Sequence, residues 1–250
     1  MGKARLSLLI ASVTTLLGCP QARPTKVPLD TLFYGAEGGN GGTLIVFLPG
    51  YGSTARDFEK KGFVEAVKKR DPSIDVLSVD AHFGYYKERG LVERLWEDVF
   101  QPAMQSGYGD IWLVGTSMGG LGAVVFAQEH QEAVKGIVLL SPYLGPEEIV
   151  SQIEESGGLS GWSPSEENTI YDRLWSWLKG YHEGSDRPEL IIAFGERDRL
   201  NPAHEILAAV MPSDRVLRTD GGHGWRVWKP LWNEFLDRRF NHTAAAPGAD

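Results

Sequence analysis

The chain has one cysteine, Cys19, which excludes an intramolecular disulfide framework. It has no cluster of Lys and Arg interleaved with aromatics, and its net charge is −8. Nothing here suggests a nucleic-acid surface, and the acidic balance is read as solubility. His, Cys, Asp and Glu nowhere fall at metal-ligand spacing, and neither a dinucleotide-binding nor a phosphate-loop glycine pattern occurs, so no metal or organic cofactor is expected. Internal repeats are lacking too. The one long apolar run, Leu6 to Leu17, is too short to be a comfortable membrane span.

What is there suits one globular domain with a sizeable core: 250 residues, 42% hydrophobic and 23% charged. The N-terminus stands apart. Met1-Gly2-Lys3-Ala4-Arg5 is a short basic start, and the apolar run that follows ends in Leu16-Leu17-Gly18-Cys19. This resembles a bacterial lipoprotein signal, whose lipobox ends Leu-x-Gly/Ala-Cys. Ordinary signal cleavage wants small residues at −1 and −3, and Leu16 is not one. By the resemblance, residues 1–18 are removed and Cys19 becomes the lipidated first residue of an exported chain, anchored at the cell envelope. With Pro20 after the cysteine, that means the outer membrane facing the periplasm in a Gram-negative organism. An ordinary secretory signal and an uncleaved anchor are the other readings. Residues 19–28, with Pro20, Pro24 and Pro28 and no apolar period, are expected to be a tether. The domain should run over 29–242, and 243–250 should be a disordered tail.

From Thr43 the chain alternates strand and helix. Strands are expected at Leu29–Tyr34 (an edge), Thr43–Leu48, Ile74–Val79, Ile111–Gly115, Lys135–Leu140, Glu189–Phe194 and Arg215–Arg218. Helices are expected at Arg56–Arg70, Glu88–Met104, Met118–His130 and about Pro202–Val210. In the closing helix Trp228, Leu231, Trp232, Phe235 and Leu236 make one face, and Pro230 belongs in the first turn. Such alternation implies an α/β fold with a mostly parallel sheet covered on both faces. In such sheets the chemistry lies beyond the carboxyl ends of the strands.

Gly115-Thr116-Ser117-Met118-Gly119 fits Gly-x-Ser-x-Gly, a strained strand-to-helix turn that lifts a serine hydroxyl above the sheet. It puts the Met118 N–H at a helix N-terminus, where an oxyanion can be bound. A serine needs a base, and the base an orienting carboxylate. Asp198 follows the strand Glu189–Phe194 in Gly195-Glu196-Arg197-Asp198, and His223 follows the last strand in Gly221-Gly222-His223. Both fall at strand carboxyl ends, in the order serine, acid, histidine.

With these motifs the chain resembles a serine α/β-hydrolase over roughly residues 43–240. The resemblance implies a Ser117–His223–Asp198 triad. Glu196, Glu147 and Glu148 are rival acids, since in some members the acid follows the earlier strand. Leu48-Pro49-Gly50-Tyr51-Gly52 resembles the family's oxyanion loop, with Pro49 where a histidine is common, and makes the Tyr51 N–H the second donor beside Met118. Asp80 to Tyr86, at another strand end, could line a pocket with His82 and Tyr85, as could Gly50; a packed aromatic loop is the plain alternative. The other histidines, His82, His130, His182, His204 and His242, lack such loop context and read as structural or exposed. Residues 143–185 break the alternation at the place where family members carry a lid. Trp162 there could face substrate, or the segment could simply bury its tryptophans on the domain. The expected activity is hydrolysis of a small-molecule carboxylic ester through an acyl-enzyme. Acyl transfer by the same residues and a non-catalytic envelope binding protein are the alternatives. The membrane, through Cys19, is the other expected partner.

Overall fold

The structure is a computed structural model that describes residues 23–39, 41–183 and 187–240. Cys19, the lipoprotein-type signal and the C-terminal 243–250 lie outside the described residues, as do His242 and the side chain of His182.

Seven strands form one sheet: β1 (Thr31–Tyr34), β2 (Thr43–Leu48), β3 (Asp75–Val79), β4 (Asp110–Thr116), β5 (Gly136–Leu140), β6 (Glu189–Gly195) and β7 (Val216–Thr219). Their order is β1-β3-β2-β4-β5-β6-β7, and every pairing is parallel except the edge pair β1–β3. The strands obey the two-residue period of a pleated backbone. Leu44, Val46, Leu113, Leu139 and Ile192 enter one core cluster, and their neighbours Ile45, Phe47, Trp112, Val138 and Ile191 enter the other. Both faces are apolar because helices cover both, as a parallel sheet requires.

The second face is covered by α1 (Ala55–Lys60), α2 (Phe63–Arg70) and α10 (Trp225–Arg239). Phe47 stacks on Phe58 with centroids 4.5 Å apart, and Phe63 stacks on Trp232 at 5.8 Å. Each such fully buried ring contributes about 1.5–3 kcal/mol by leaving water. The first face is covered by α3 (Phe83–Lys87), α4 (Leu91–Leu95), α5 (Gln101–Gln105), α6 (Met118–Glu129), α7 (Glu147–Glu155), α8 (Ile170–Lys179) and α9 (Asn201–Ala208). Among the described residues no helix is long and apolar enough to cross a membrane.

Three helices differ from expectation. The span Arg56–Arg70 is broken at Gly62, whose φ of 78° turns the chain between α1 and α2. The span Glu88–Met104 is interrupted by a π-helical turn, Trp96–Phe100, closed by the Gln101 N–H bonding to the Trp96 carbonyl. Pro102 follows at once and has no N–H with which to keep the α-helical ladder. α10 starts at Trp225, so Pro230 lies inside the helix rather than in its first turn.

The described part of the expected tether is docked. Arg23 forms a two-pronged ion pair with Asp80, at 2.7 and 3.2 Å, and the Lys26 N–H donates to the Tyr85 hydroxyl at 3.0 Å. The 143–183 stretch also packs. Trp162 and Trp175 are buried in the same cluster as Ile153, Leu174 and Leu178. The cap of α8 is tight, because Asp172 accepts from the Ser165 and Thr169 amides and from both hydroxyls.

Candidate active site

The turn between β4 and α6 is built on steric necessity. Ser117 has φ 52° and ψ −115°, a conformation that side chains rarely adopt and that costs roughly 1–3 kcal/mol. A Cβ on Gly115 would stand 2.2 Å from the Gly119 carbonyl oxygen, and one on Gly119 would stand 2.1 Å from that of Leu48. Only hydrogen fits at either position. Backbone bonds hold the strain in place. The Ser117 N–H donates to Leu140 at 2.9 Å, and the Ser117 carbonyl accepts from Gly120 and Tyr143, each at 2.9 Å.

Three side chains converge at the carboxyl edge of the sheet. His223 Nε2 lies 2.9 Å from Ser117 Oγ, and its Nδ1 lies 2.8 Å and 2.9 Å from the two carboxylate oxygens of Asp198. In the neutral imidazole an Nδ1–H donates to Asp198, which leaves Nε2 to accept the serine hydroxyl. Ser117 and Asp198 are buried and His223 is partly so. Trp228 of α10 packs edge-on against the imidazole at 5.1 Å and restrains the ring.

Burial pushes the Asp198 carboxyl up. Hydrogen bonds from His223 and from the Leu200 amide (2.9 Å) outweigh it, and the carboxyl sits below its ordinary value. The acid is therefore ionised when the imidazole needs orienting. Ser141, directly after β5, has a φ of 46° and is fully buried. The rival acids Glu196, Glu147 and Glu148 are all exposed. Buried His204 sets its Nε2 2.9 Å from the Pro142 carbonyl, and burial lowers its pKa to about 4, so it is a neutral donor that fastens the chain beside Tyr143.

Gly50 is at the nucleophile: a Cβ there would stand 3.2 Å from Ser117 Cβ. Tyr51 follows it in the turn after β2, and Met118 opens α6 directly after Ser117. His82, Tyr85 and Trp162 each have partners within the fold. His82 caps α3, with its Nδ1 accepting from the Gly84 N–H at 3.1 Å, and its basicity is lowered by burial and by Arg23. The Tyr85 hydroxyl is taken by Lys26. The tyrosine that reaches the elbow is Tyr86, which donates to the Met118 carbonyl at 3.1 Å. The cause is rotation, since adjacent residues on a helix point about 100° apart. α3 is one short turn with no period to read. Trp162 belongs to the core, and its carbonyl accepts from Lys179 at 2.8 Å. Among the described residues no group of three or more His, Cys, Asp or Glu could hold a metal ion. Tyr86 and Trp228 carry no sequence signal for the site; apolar periodicity marks Trp228 only as core.

Known proteins offer a frame for this geometry. A sequence model of the alpha/beta hydrolase family matches residues 45–239. Among solved structures, an S-formylglutathione hydrolase from Agrobacterium tumefaciens superposes with a TM-score of 0.58 at 14% identity, covering 87% of this chain and 92% of that one. A fluorophosphonate-binding serine hydrolase of Staphylococcus aureus gives 0.57 at 15%, covering 84% and 98%. Est1E from Butyrivibrio proteoclasticus gives 0.55 at 16%, covering 84% and 93%. No curated protein sequence matches the chain.

Proposed function

The chain belongs to the alpha/beta hydrolase family, and on that premise we propose that it is a serine hydrolase that cleaves carboxylic esters through an acyl-enzyme. The observation that carries the reading is the 2.9 Å approach of Ser117 Oγ to His223 Nε2, with Nδ1 of the same ring on buried Asp198. His223 takes the hydroxyl proton as Oγ attacks the ester carbon. The oxyanion that forms accepts from the Met118 and Tyr51 N–H groups, each worth about 3–4 kcal/mol at the transition state. The proton on Nε2 then passes to the leaving alcohol as the C–O bond breaks. Water repeats the sequence against the acyl-enzyme and releases the acid. Asp198 stays ionised throughout and holds the imidazole tautomer. The lipobox-like Leu-Leu-Gly-Cys adds a location: a mature chain that begins at lipid-modified Cys19 in a bacterial envelope.

Incubation with a fluorophosphonate probe, and with p-nitrophenyl esters of graded chain length, tests the chemistry. Ser117→Ala should abolish labelling and lower kcat by about 10⁶-fold, as loss of a serine nucleophile does elsewhere. Folded wild-type protein that takes no label and turns over no ester overturns the reading and leaves a binding protein on a hydrolase fold.

A further inference from the structure

The strap that begins at Arg23 and the entrance to the nucleophile are joined by an unbroken path of contacts. Arg23 is fixed by Asp80, Thr25 donates to Glu88 at 2.6 Å, and Lys26 and Tyr85 bond to each other, so 23–26 lies along α3. A Cβ on Gly84 would stand 2.5 Å from the Arg23 carbonyl oxygen. Beside Gly84, Phe83 is 39% exposed, and its ring lies 5.4 Å from that of Tyr51, which is 53% exposed. Tyr51 follows Gly50, which abuts Ser117. Val27, on the strap itself, is 74% exposed. Large hydrophobic side chains are otherwise exposed at few places among the described residues, so an exposed aromatic pair in mutual contact is out of character for this surface.

Chain length gives that surface a neighbour. Four residue steps separate Cys19 from Arg23, and a fully extended chain covers at most about 14 Å in that distance. A domain of this size has a radius of gyration of about 17 Å and a diameter of about 44 Å. A lipid on Cys19 therefore holds the domain on a leash about one third of its diameter. Only the face around Arg23 can reach the bilayer. Aromatic and aliphatic side chains are the ones that settle at a membrane interface.

We infer that the lipidated protein lies with the face formed by Val27, Phe83 and Tyr51 against the bilayer, so that Ser117 opens onto the membrane surface and the ester it cleaves is an acyl lipid of that leaflet. The inference rests on the serine-hydrolase reading and on lipidation of Cys19.

Because Cys19 is the sole cysteine and its sulfur is consumed by the lipid, an introduced cysteine is a unique thiol. Full-length lipidated Phe83→Cys carries an environment-sensitive fluorophore into phosphatidylethanolamine–phosphatidylglycerol vesicles. Glu132→Cys, exposed near the amino end of β5 at the opposite edge of the sheet, is the control. The Phe83 label should shift to the blue and be quenched by brominated lipid, and the Glu132 label should do neither. In parallel, Val27→Asp, which leaves the ring packed on Tyr51 in place, should lower turnover of vesicle-borne p-nitrophenyl palmitate about tenfold, the effect of about 1.4 kcal/mol of lost interfacial binding. Turnover of water-soluble p-nitrophenyl acetate should be unchanged. Lipid on Cys19 with both labels in water overturns the orientation alone. A mass spectrum showing Cys19 unmodified removes the anchor and the inference with it. Failure of the fluorophosphonate probe sinks the hydrolase reading whatever the labels report.

Discussion

Gly119→Ala isolates the steric basis of the elbow. The added Cβ would stand 2.1 Å from the Leu48 carbonyl oxygen, 2.7 Å from its carbon and 2.8 Å from the Pro49 oxygen, where ordinary contact begins at 3.4 Å. All three neighbours are backbone atoms, so no rotamer change relieves the clash. Leu48 is held in register opposite Gly115, and β2 is a central strand. The cheaper relief is a displacement of Pro49 to Tyr51, the stretch that carries one oxyanion donor, by about 1 Å. A 1 Å misplacement costs about 100-fold in rate, equal to about 2.7 kcal/mol of barrier. Overpacking should cost about 1–3 kcal/mol of stability besides. Urea denaturation and kcat on p-nitrophenyl acetate measure both. Gly107→Ala is the control, because that glycine has φ 89° and nothing within 4 Å. It should lose about 1–2 kcal/mol through left-handed backbone alone and keep its kcat. A Gly119→Ala enzyme with unimpaired kcat would refute the argument that this contact sets the oxyanion loop.

Other perturbations separate chemistry from packing. Asp198→Asn keeps the shape of the acid but strands the wrong imidazole tautomer. It should cut kcat about 10⁴-fold in a protein that stays folded, and a small loss would point to another acid. Trp162→Ala should lose about 3–5 kcal/mol of stability and leave KM unchanged; a KM effect at full stability would restore it to the substrate pocket. The Asp172 carboxyl is pushed up by burial, but hydrogen bonds from Thr169 and Ser165 dominate and hold it at about 2. Its folded value lies below its unfolded one, so its stabilising contribution is whole above about pH 4 and fades as the pH falls toward 2. Acid unfolding of Asp172→Asn should lack that component, and an unchanged pH–stability profile would refute the assignment.

How much of this was legible follows the range of the forces involved. The elbow is visible in five consecutive residues, because its constraint is a clash between near neighbours in the chain. Strand-and-helix alternation and the places of Asp198 and His223 after β6 and β7 are visible for the same reason. Apolar runs and glycine-containing turns report on the backbone that carries them. Helix breaks were legible only in part. Gly62 and Pro102 stood in the sequence, yet the apolar period ran through both, and only packing decided that the chain would turn at one and relax into a π turn at the other.

The sequence by itself determined that a serine would stand on a strained turn, with an acid and a histidine on later loops at the same edge of a parallel sheet. Tertiary structure alone decided that residues 106 and 25 positions apart in the chain meet within 2.9 Å. It also decided that Tyr86 rather than Tyr85 touches the elbow, that Trp162 turns into the core, and that the strap from Arg23 binds α3 instead of swinging free. The physical reason is that a backbone conformation is chosen by its immediate neighbours. A side chain's partner is chosen by whichever distant element packs against it, and small rotations of a short helix are enough to exchange one partner for another.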